Sequence, residues 1–401
     1  MGQYENAPPP SATAYRTPEP NAAIPLYSGR LRLRQGGNVV DGDGSVELRW
    51  LPTPTLHFVM PRGNDHRLAL DECDVELVDR GWSNRGVLVR AGSGGLRGML
   101  DQCPGMSGWM SGPSAIVQVR VHVPNFHKTP GSPLARADSN GSYRGRSTFE
   151  IGPWRLTCDQ LAPDIHDALK AAGGDVFTHV LVCERIDGAT FEPAAMDELV
   201  RSLDLALSFC LGSWTGCALA TGYDEDGRLV WEQWRMPWLT SYSSSEFSWF
   251  PPMPVGALGN FVPGFVRALE SPSARRALGN CVHWYVEANA GHGGLEGAIT
   301  MALMGLELLS WLELVDRNAG DPDAFKAAPA HRKIREYLVA KSIPLDVQAL
   351  PRFATFTAAE QNCVDGLEAA TRLRNRAVHP PRTKFADYPI ELREEAWRYT
   401  V

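Results

Sequence analysis

Apolar and polar positions alternate in short segments from about residue 27 onward. "RLRLR", "VELRWL", "LHFVM", "DVELVD", "GVLVR" and "AIVQVRVHV" show period-two patterning or β-branched runs, separated by Gly, Asp, Asn and Pro. This texture predicts a β-rich, sandwich- or barrel-like domain over residues 25–160, with a long polar loop at 124–147 before "TFEIG" and "WRLTCD" resume it. Residues 161–262 read as a mixed α/β region continuing that N-terminal module. "FTHVLVCERI" predicts a strand, "PAAMDELVRSLDLALSFCLG" a helix, and "GCALATGYDEDGRLVWEQW" a hairpin. Over residues 263–401 the period changes to 3.6. "SARRALGNCVHWYVEAN", "LEGAITMALMGLELLSWLELV", "AHRKIREYLVAK", "TAAEQNCVDGLEAATRLRNRAV" and "ELREEAWRYTV" predict successive helices of an all-α bundle. The last of these stops on an apolar residue, so a partner or further chain is expected to complete its face. Residues 1–24 are rich in Pro and Ala without a periodic face and predict a disordered lead-in. The expected fold class is α+β and multidomain.

The fourth predicted helix carries the most informative placement. Stepping about 100° per residue puts Cys363, Leu367, Ala370 and Ala377 on one side, flanked by Val364, Thr371, Leu373 and Val378. Arg374 falls inside that apolar stripe, whereas Arg372 and Arg376 fall on the solvent side with Asp365. A guanidinium aimed inward is costly unless an anion or polar network meets it. Glu307 on the second helix is a candidate partner. His379 precedes Pro380, which disfavours helical geometry and releases the imidazole at the helix end. Arg374 would supply a planar fork for phosphate and His379 acid–base chemistry near neutral pH. The bare spacing R-x4-H occurs about once by chance in such a chain, so its context carries the weight.

Composition narrows the field. A net charge of −7 over 401 residues argues against a surface coated in positive charge, so any nucleic-acid contact must be a local patch. The eight cysteines show no CxxC pairs and read as buried thiols of a reducing compartment. No apolar run of about 18–20 residues and no leader peptide are evident, which predicts a cytoplasmic protein without a membrane partner. The aromatics between Trp214 and Phe250 are read as packing rather than base-stacking residues, since only Arg228 and Arg235 are interleaved. His122, His127 and His179 lack a third ligand and read as core or strand-end residues. "GHGG" lacks the lysine of a phosphate loop, and no metal site or cofactor is expected.

"LRNRAVHP" (373–380) resembles the R-N-x3-H signature of HEPN domains, and "LMGLELLSWLEL" resembles the second helix of that bundle. The likeness covers residues 263–401. The order and texture of "GDGSVELRWLPTPTLHFVMP", "VHVPNFH" and "ALSFCLGSWTGCALATGYDEDGRLVWEQW" are similar to ApeA-type anti-phage HEPN proteins. The resemblance implies a metal-independent endoribonuclease, homodimeric through the bundle, with the N-terminal region sensing a phage-derived or cellular trigger. Carried over, Arg374 would contact the scissile phosphate, His379 would be the acid/base and Asn375 a polar helper. Glu307 would be a supporting partner, and Arg376, Arg382 and Lys384 would hold RNA. A HEPN-like module that binds nucleotide, RNA or protein without cutting stays open, as does a bundle that only dimerises.

Overall fold

The computed structural model describes residues 7–61, 68–92, 94–101, 109–110, 115–136, 141–242, 256–378 and 388–401. The chain divides into two compact units, Met1–Val266 and Arg267–Val401. The first is β-rich and the second helical, an α+β arrangement.

Six antiparallel strands open the first unit: β1 (Ile24–Gln35), β2 (Asn38–Arg49), β3 (Thr55–Met60), β4 (Glu72–Leu77), β5 (Trp82–Gly92) and β6 (Gly95–Leu100). They close a barrel in the order β1-β2-β3-β6-β5-β4, which leaves no free edge. Alternate residues point inward: Leu31, Leu33, Val46, Leu48, Leu56, Phe58, Val75 and Leu88 are all buried. The β1–β2 connection uses Gly36 and Gly37, both at positive φ (51° and 89°), the backbone that a two-residue hairpin turn requires.

Eight further strands form one antiparallel sheet, β7 (Trp109–Met110), β8 (Gln118–Pro124), β9 (Ser132–Ala135), β10 (Ser142–Ile151), β11 (Trp154–Gln160), β12 (Phe177–Arg185), β13 (Ala218–Tyr223) and β14 (Leu229–Gln233). Their order is β7-β14-β13-β8-β12-β11-β10-β9. Helices α2 (Asp197–Leu211) and α3 (Ala257–Ala268) contribute Leu199, Leu203, Leu207, Leu258 and Val262 to one core with Val119, Val121, Leu156 and Leu181. Phe177, Leu219, Trp234 and Met236 belong instead to the barrel's core. The central strands are thus covered on both sides, which explains the unbroken apolar run in "HVLVC". The aromatics follow suit. Trp231 and Trp234 are buried, Trp214 stands edge-on to Trp238 at 5.3 Å, and residues 247–250 lie outside the described set.

Three expectations change here. Residues 124–147 are not one polar loop, because β9 and the start of β10 lie within them and Leu134 is buried. Helix α1 (Ile165–Ala172) was not anticipated. The described part of the Pro-rich lead-in is docked rather than disordered. Ser11 donates to Asp159 from both its amide and hydroxyl (2.8 Å each), and Asp159 also holds Arg146 through a two-pronged pair at 2.7 and 2.6 Å. Tyr15 is 5% exposed; its hydroxyl donates to Glu232 and accepts from Trp234 Nε1 at 3.0 Å. Arg80, in the turn between β4 and β5, completes the cluster 2.5 Å from Glu232. Asn21 bonds Asp175 through its main chain (2.8 Å) and, from the Asp175 amide, its side chain (2.9 Å).

The second unit contains α4 (Pro272–Ala290), capped by Ser271, and α5 (Gly294–Trp311), which continues as a π-helical segment, Leu312–Arg317. Then come α6 (Pro322–Ala327), α7 (Ala330–Ala340), α8 (Pro351–Ala359), α9 (Gly366–Val378) and α10 (Ile390–Thr400). Ile299, Leu303, Ile334, Phe353, Leu367, Leu373 and Leu392 form their core. The expected fourth helix is two helices, α8 and α9, because the chain turns at residues 360–365 with Asn362 at φ 56°. Gly366 permits the restart, since a Cβ there would lie 2.2 Å from Val347 and 2.9 Å from Tyr399. Helix α10 packs closely: Glu395 accepts the first amides of α8 at 2.8 and 2.9 Å, and Trp397 and Val401 pack on Ala288, Ala298 and Ala302. Contrary to the expectation of no apolar run, residues Gly294–Arg317 are long and apolar enough to span a membrane by length and composition, with 44% of the apolar window buried inside the protein.

Two outcomes follow from the first unit. Burial holds the His122 and His166 imidazoles down to about 4, and burial followed by the neighbouring His166 and His127 pushes His179 lower than usual. An unfolded imidazole protonates near ~6.5, so below that pH the unfolded chain takes up protons that the folded one does not. Stability is therefore full above that pH and falls as pH drops toward 4; urea midpoints measured across this window should fall, and a flat profile would contradict the burial. Replacing Tyr15→Phe strips Glu232 and Trp234 of a shared partner and should lower the unfolding free energy by about 1–3 kcal/mol, read by urea denaturation.

Candidate functional site

Helix α9 buries Leu367, Ala369, Ala370, Thr371 and Leu373 against the second unit's core. Val364, expected on that face, is 75% exposed because it precedes the helix. The three arginines of the helix then separate by what they meet. Arg372 donates to the Gln361 and Asn362 carbonyls (2.7 and 3.0 Å) and to Glu368 (2.7 Å), so it ties the turn down instead of standing in solvent. Arg376 grips Glu360 with both terminal nitrogens at 2.9 Å, donates to the Tyr388 hydroxyl, and lies over the Tyr388 ring at 5.8 Å. Its hydrogen bond, reinforced by its charge and by Arg372, pulls the Glu360 carboxyl below its usual range. Arg376, read as an RNA contact, is thus engaged within the protein.

Arg374 differs. It is half-buried, one residue beyond buried Leu373, and its Nε is shielded from solvent with no hydrogen-bond partner among the described residues. Glu307 does not fill that role. Its carboxylate accepts from Lys333 Nζ at 2.7 Å, and the same ammonium lies 4.8 Å from the Phe325 ring. Asn375 is exposed at the next position. His379, Arg382 and Lys384 lie outside the described residues, so the structure brings together only part of the expected set.

The neighbouring charges are densely paired: Arg335 meets Asp365 at 2.5 Å and Glu368 at 4.0 Å. Reading residues 357–378 as one helix hid Glu360, although the Asn362 and Gly366 positions carry turn chemistry that could have exposed it. A second feature that the sequence did not bring forward is an open groove of about 570 Å³ between α4 and α5. Trp284, Met301 and Met304 line it with His283, Glu287 and Glu296. Among the described residues, no group of three or more His, Cys, Asp or Glu side chains is placed to hold a metal ion.

Residues 111–245 match the family described as the YopA central domain, and residues 271–400 match the YopA C-terminal domain. Both units match YopA domains. A relative from Bacillus subtilis (strain 168), the SPbeta prophage-derived uncharacterized protein YopA, is 25% identical over 386 residues, covering 92% of this chain and 85% of that protein. No solved structure matches. The YopA central-domain match takes in β8 to β14 of the eight-stranded sheet, with α1 and α2. The YopA C-terminal match takes in α4 to α10 and so contains Arg374, Glu360 and the groove. The barrel precedes both.

Because Glu360 joins two arginines to the turn before α9, Glu360→Gln should leave both underpaired. The expected loss is about 1 kcal/mol, since the cluster is only partly shielded. Thermal unfolding should register it, with a smaller effect from Asn375→Ala on exposed surface.

Proposed function

We propose that the helical unit is a metal-independent endoribonuclease effector in which Arg374 binds the scissile phosphate and His379 moves the proton. The observation that carries this reading is the shielded Arg374 Nε. Arg372 and Arg376 on the same helix are satisfied by carboxylates and carbonyls, whereas Arg374 keeps a donor unspent among the described residues. A phosphate oxygen is the kind of acceptor that such a fork takes.

In this mechanism the RNA supplies its own nucleophile. His379 removes the proton from a 2′-hydroxyl, the oxygen attacks the adjacent phosphorus, and the P–O5′ bond breaks. The products are a 2′,3′-cyclic phosphate and a 5′-hydroxyl, the leaving oxygen taking a proton from an imidazolium. A second copy of the chain would bring a second His379 for that step, so one imidazole accepts the proton while the other donates it. Arg374 holds the negative charge that builds on the phosphoryl oxygens. Asn375, exposed beside it, is placed on the sequence to orient the substrate.

The β-rich unit serves as the sensor in this scheme, and the setting is the bacterial cytoplasm during conflict with phage, in keeping with the prophage origin of the Bacillus relative. The test is incubation of purified protein with RNA in EDTA. Wild type should yield cyclic-phosphate ends, and Arg374→Ala and His379→Ala should each slow cleavage by about a hundredfold or more. Cleavage that survives both substitutions would remove the assignment. RNA binding that depends on Arg374, with no cleavage under any condition, would favour a non-catalytic module.

A further inference from the structure

The barrel wall pairs most of its described arginines. Arg32 meets Asp41 and Glu76, Arg34 meets Glu76, Arg49 meets Glu47 and Arg80 meets Glu232. Arg85 stands opposite Asp74 in the β4–β5 register. Arg90 and Arg97 break this pattern. They are register partners on β5 and β6, both are exposed, and among the described residues neither forms an ion pair. Like charges directly opposite one another destabilise a sheet, so this pair is a cost to the barrel.

The backbone is arranged to produce it. Leu88 points into the barrel, and strict alternation would send Arg90 the same way. A bulge between Leu88 and Arg90 shifts the register, leaving Val89 and Arg90 both exposed while Ala91 pairs with buried Leu96. Bulges of this kind re-aim side chains and concentrate near functional sites. The row continues from Arg97 to Val59 on β3 and Ser45 on β2, so no acid stands in it. Val89 is 47% exposed and Leu70 63% exposed; Leu70 flanks the bulge, because the carbonyl of Asp71 accepts the Leu88 amide.

We propose that this bulged corner of the barrel docks an acidic, aliphatic polypeptide segment of a partner protein. Carboxylates of the segment take the two guanidinium groups, and its Leu or Val side chains cover Leu70 and Val89. A nucleic acid fits less well. Its backbone calls for a track of cations and its bases for stacking rings, and this patch offers two cations among aliphatics. The inference is independent of the role given to Arg374.

The probe is a fluorescein-labelled peptide, Glu-Val-Asp-Leu-Glu-Val-Asp-Leu, titrated with full-length protein and followed by anisotropy. Binding should weaken with added salt and fall at least about tenfold in an Arg90→Ser, Arg97→Ser double variant. The neutral counterpart Gln-Val-Asn-Leu-Gln-Val-Asn-Leu should not bind. Removing the repulsion should leave the thermal midpoint unchanged or higher. Absence of binding to wild type, or equal binding to both proteins, would overturn the proposal. So would a lower midpoint in the variant, which would make the arginines structural. RNA oligonucleotide binding that depends on these arginines, without peptide binding, would replace the proposed occupant.

Discussion

Glu232 sits where water does not reach, and a carboxylate in that position must be met by charge and donors from the protein itself. Its partners come from three places. Arg80 arrives from the barrel, Tyr15 from the segment before β1, and Trp234 steadies Tyr15 from just beyond β14. Burial, followed by the adjacent Glu232, drives the Tyr15 phenol well above its usual range, so it stays a hydrogen-bond donor. Barrel, sheet and leading segment are therefore coupled through one side chain. The Asp159 cluster repeats the arrangement farther across the same sheet, on β11, where Arg146 and Ser11 share a fully buried carboxylate.

The helical unit applies the same constraint with a different result. Glu360 and Glu368 absorb Arg372 and Arg376, Asp365 absorbs Arg335, and Glu307 absorbs Lys333. A helix bearing three arginines thereby becomes one in which a single guanidinium has a shielded donor to spare. Substituting Arg372 or Arg376 removes structure, whereas substituting Arg374 removes a donor that the described fold leaves unused.

Much of this was legible from periodicity. Period-two or β-branched runs marked β1 to β5, β8, β10 and β11, an unbroken apolar run marked β12, turn chemistry marked the β13–β14 hairpin, and period-3.6 stripes marked α2, α4, α5, α7 and α10, because side-chain burial follows the local repeat. The stripe that set Arg374 among apolar residues is matched only by its shielded Nε, since Arg372 and Arg376, expected in solvent, are half-buried like Arg374. What escaped depends on distant partners. Nothing local in "PPPSATAYRTPEP" announces that Ser11 will bond a residue 148 positions away or Tyr15 one 217 positions away. The partner of Glu307 was also invisible, since choosing Lys333 over Arg374 is a matter of how helices cross. The α8–α9 break was different: Asn362 and Gly366 announced it, and the apolar stripe running through them masked the signal.

The leading segment has a consequence for how the chain is made. Residues 7–23 are made before each of the anchors they use, at Asp159, Asp175 and Glu232. Tyr15 lacks its acceptor until Glu232 on β14 has been made. This leading segment is thus the finishing seam of the first unit.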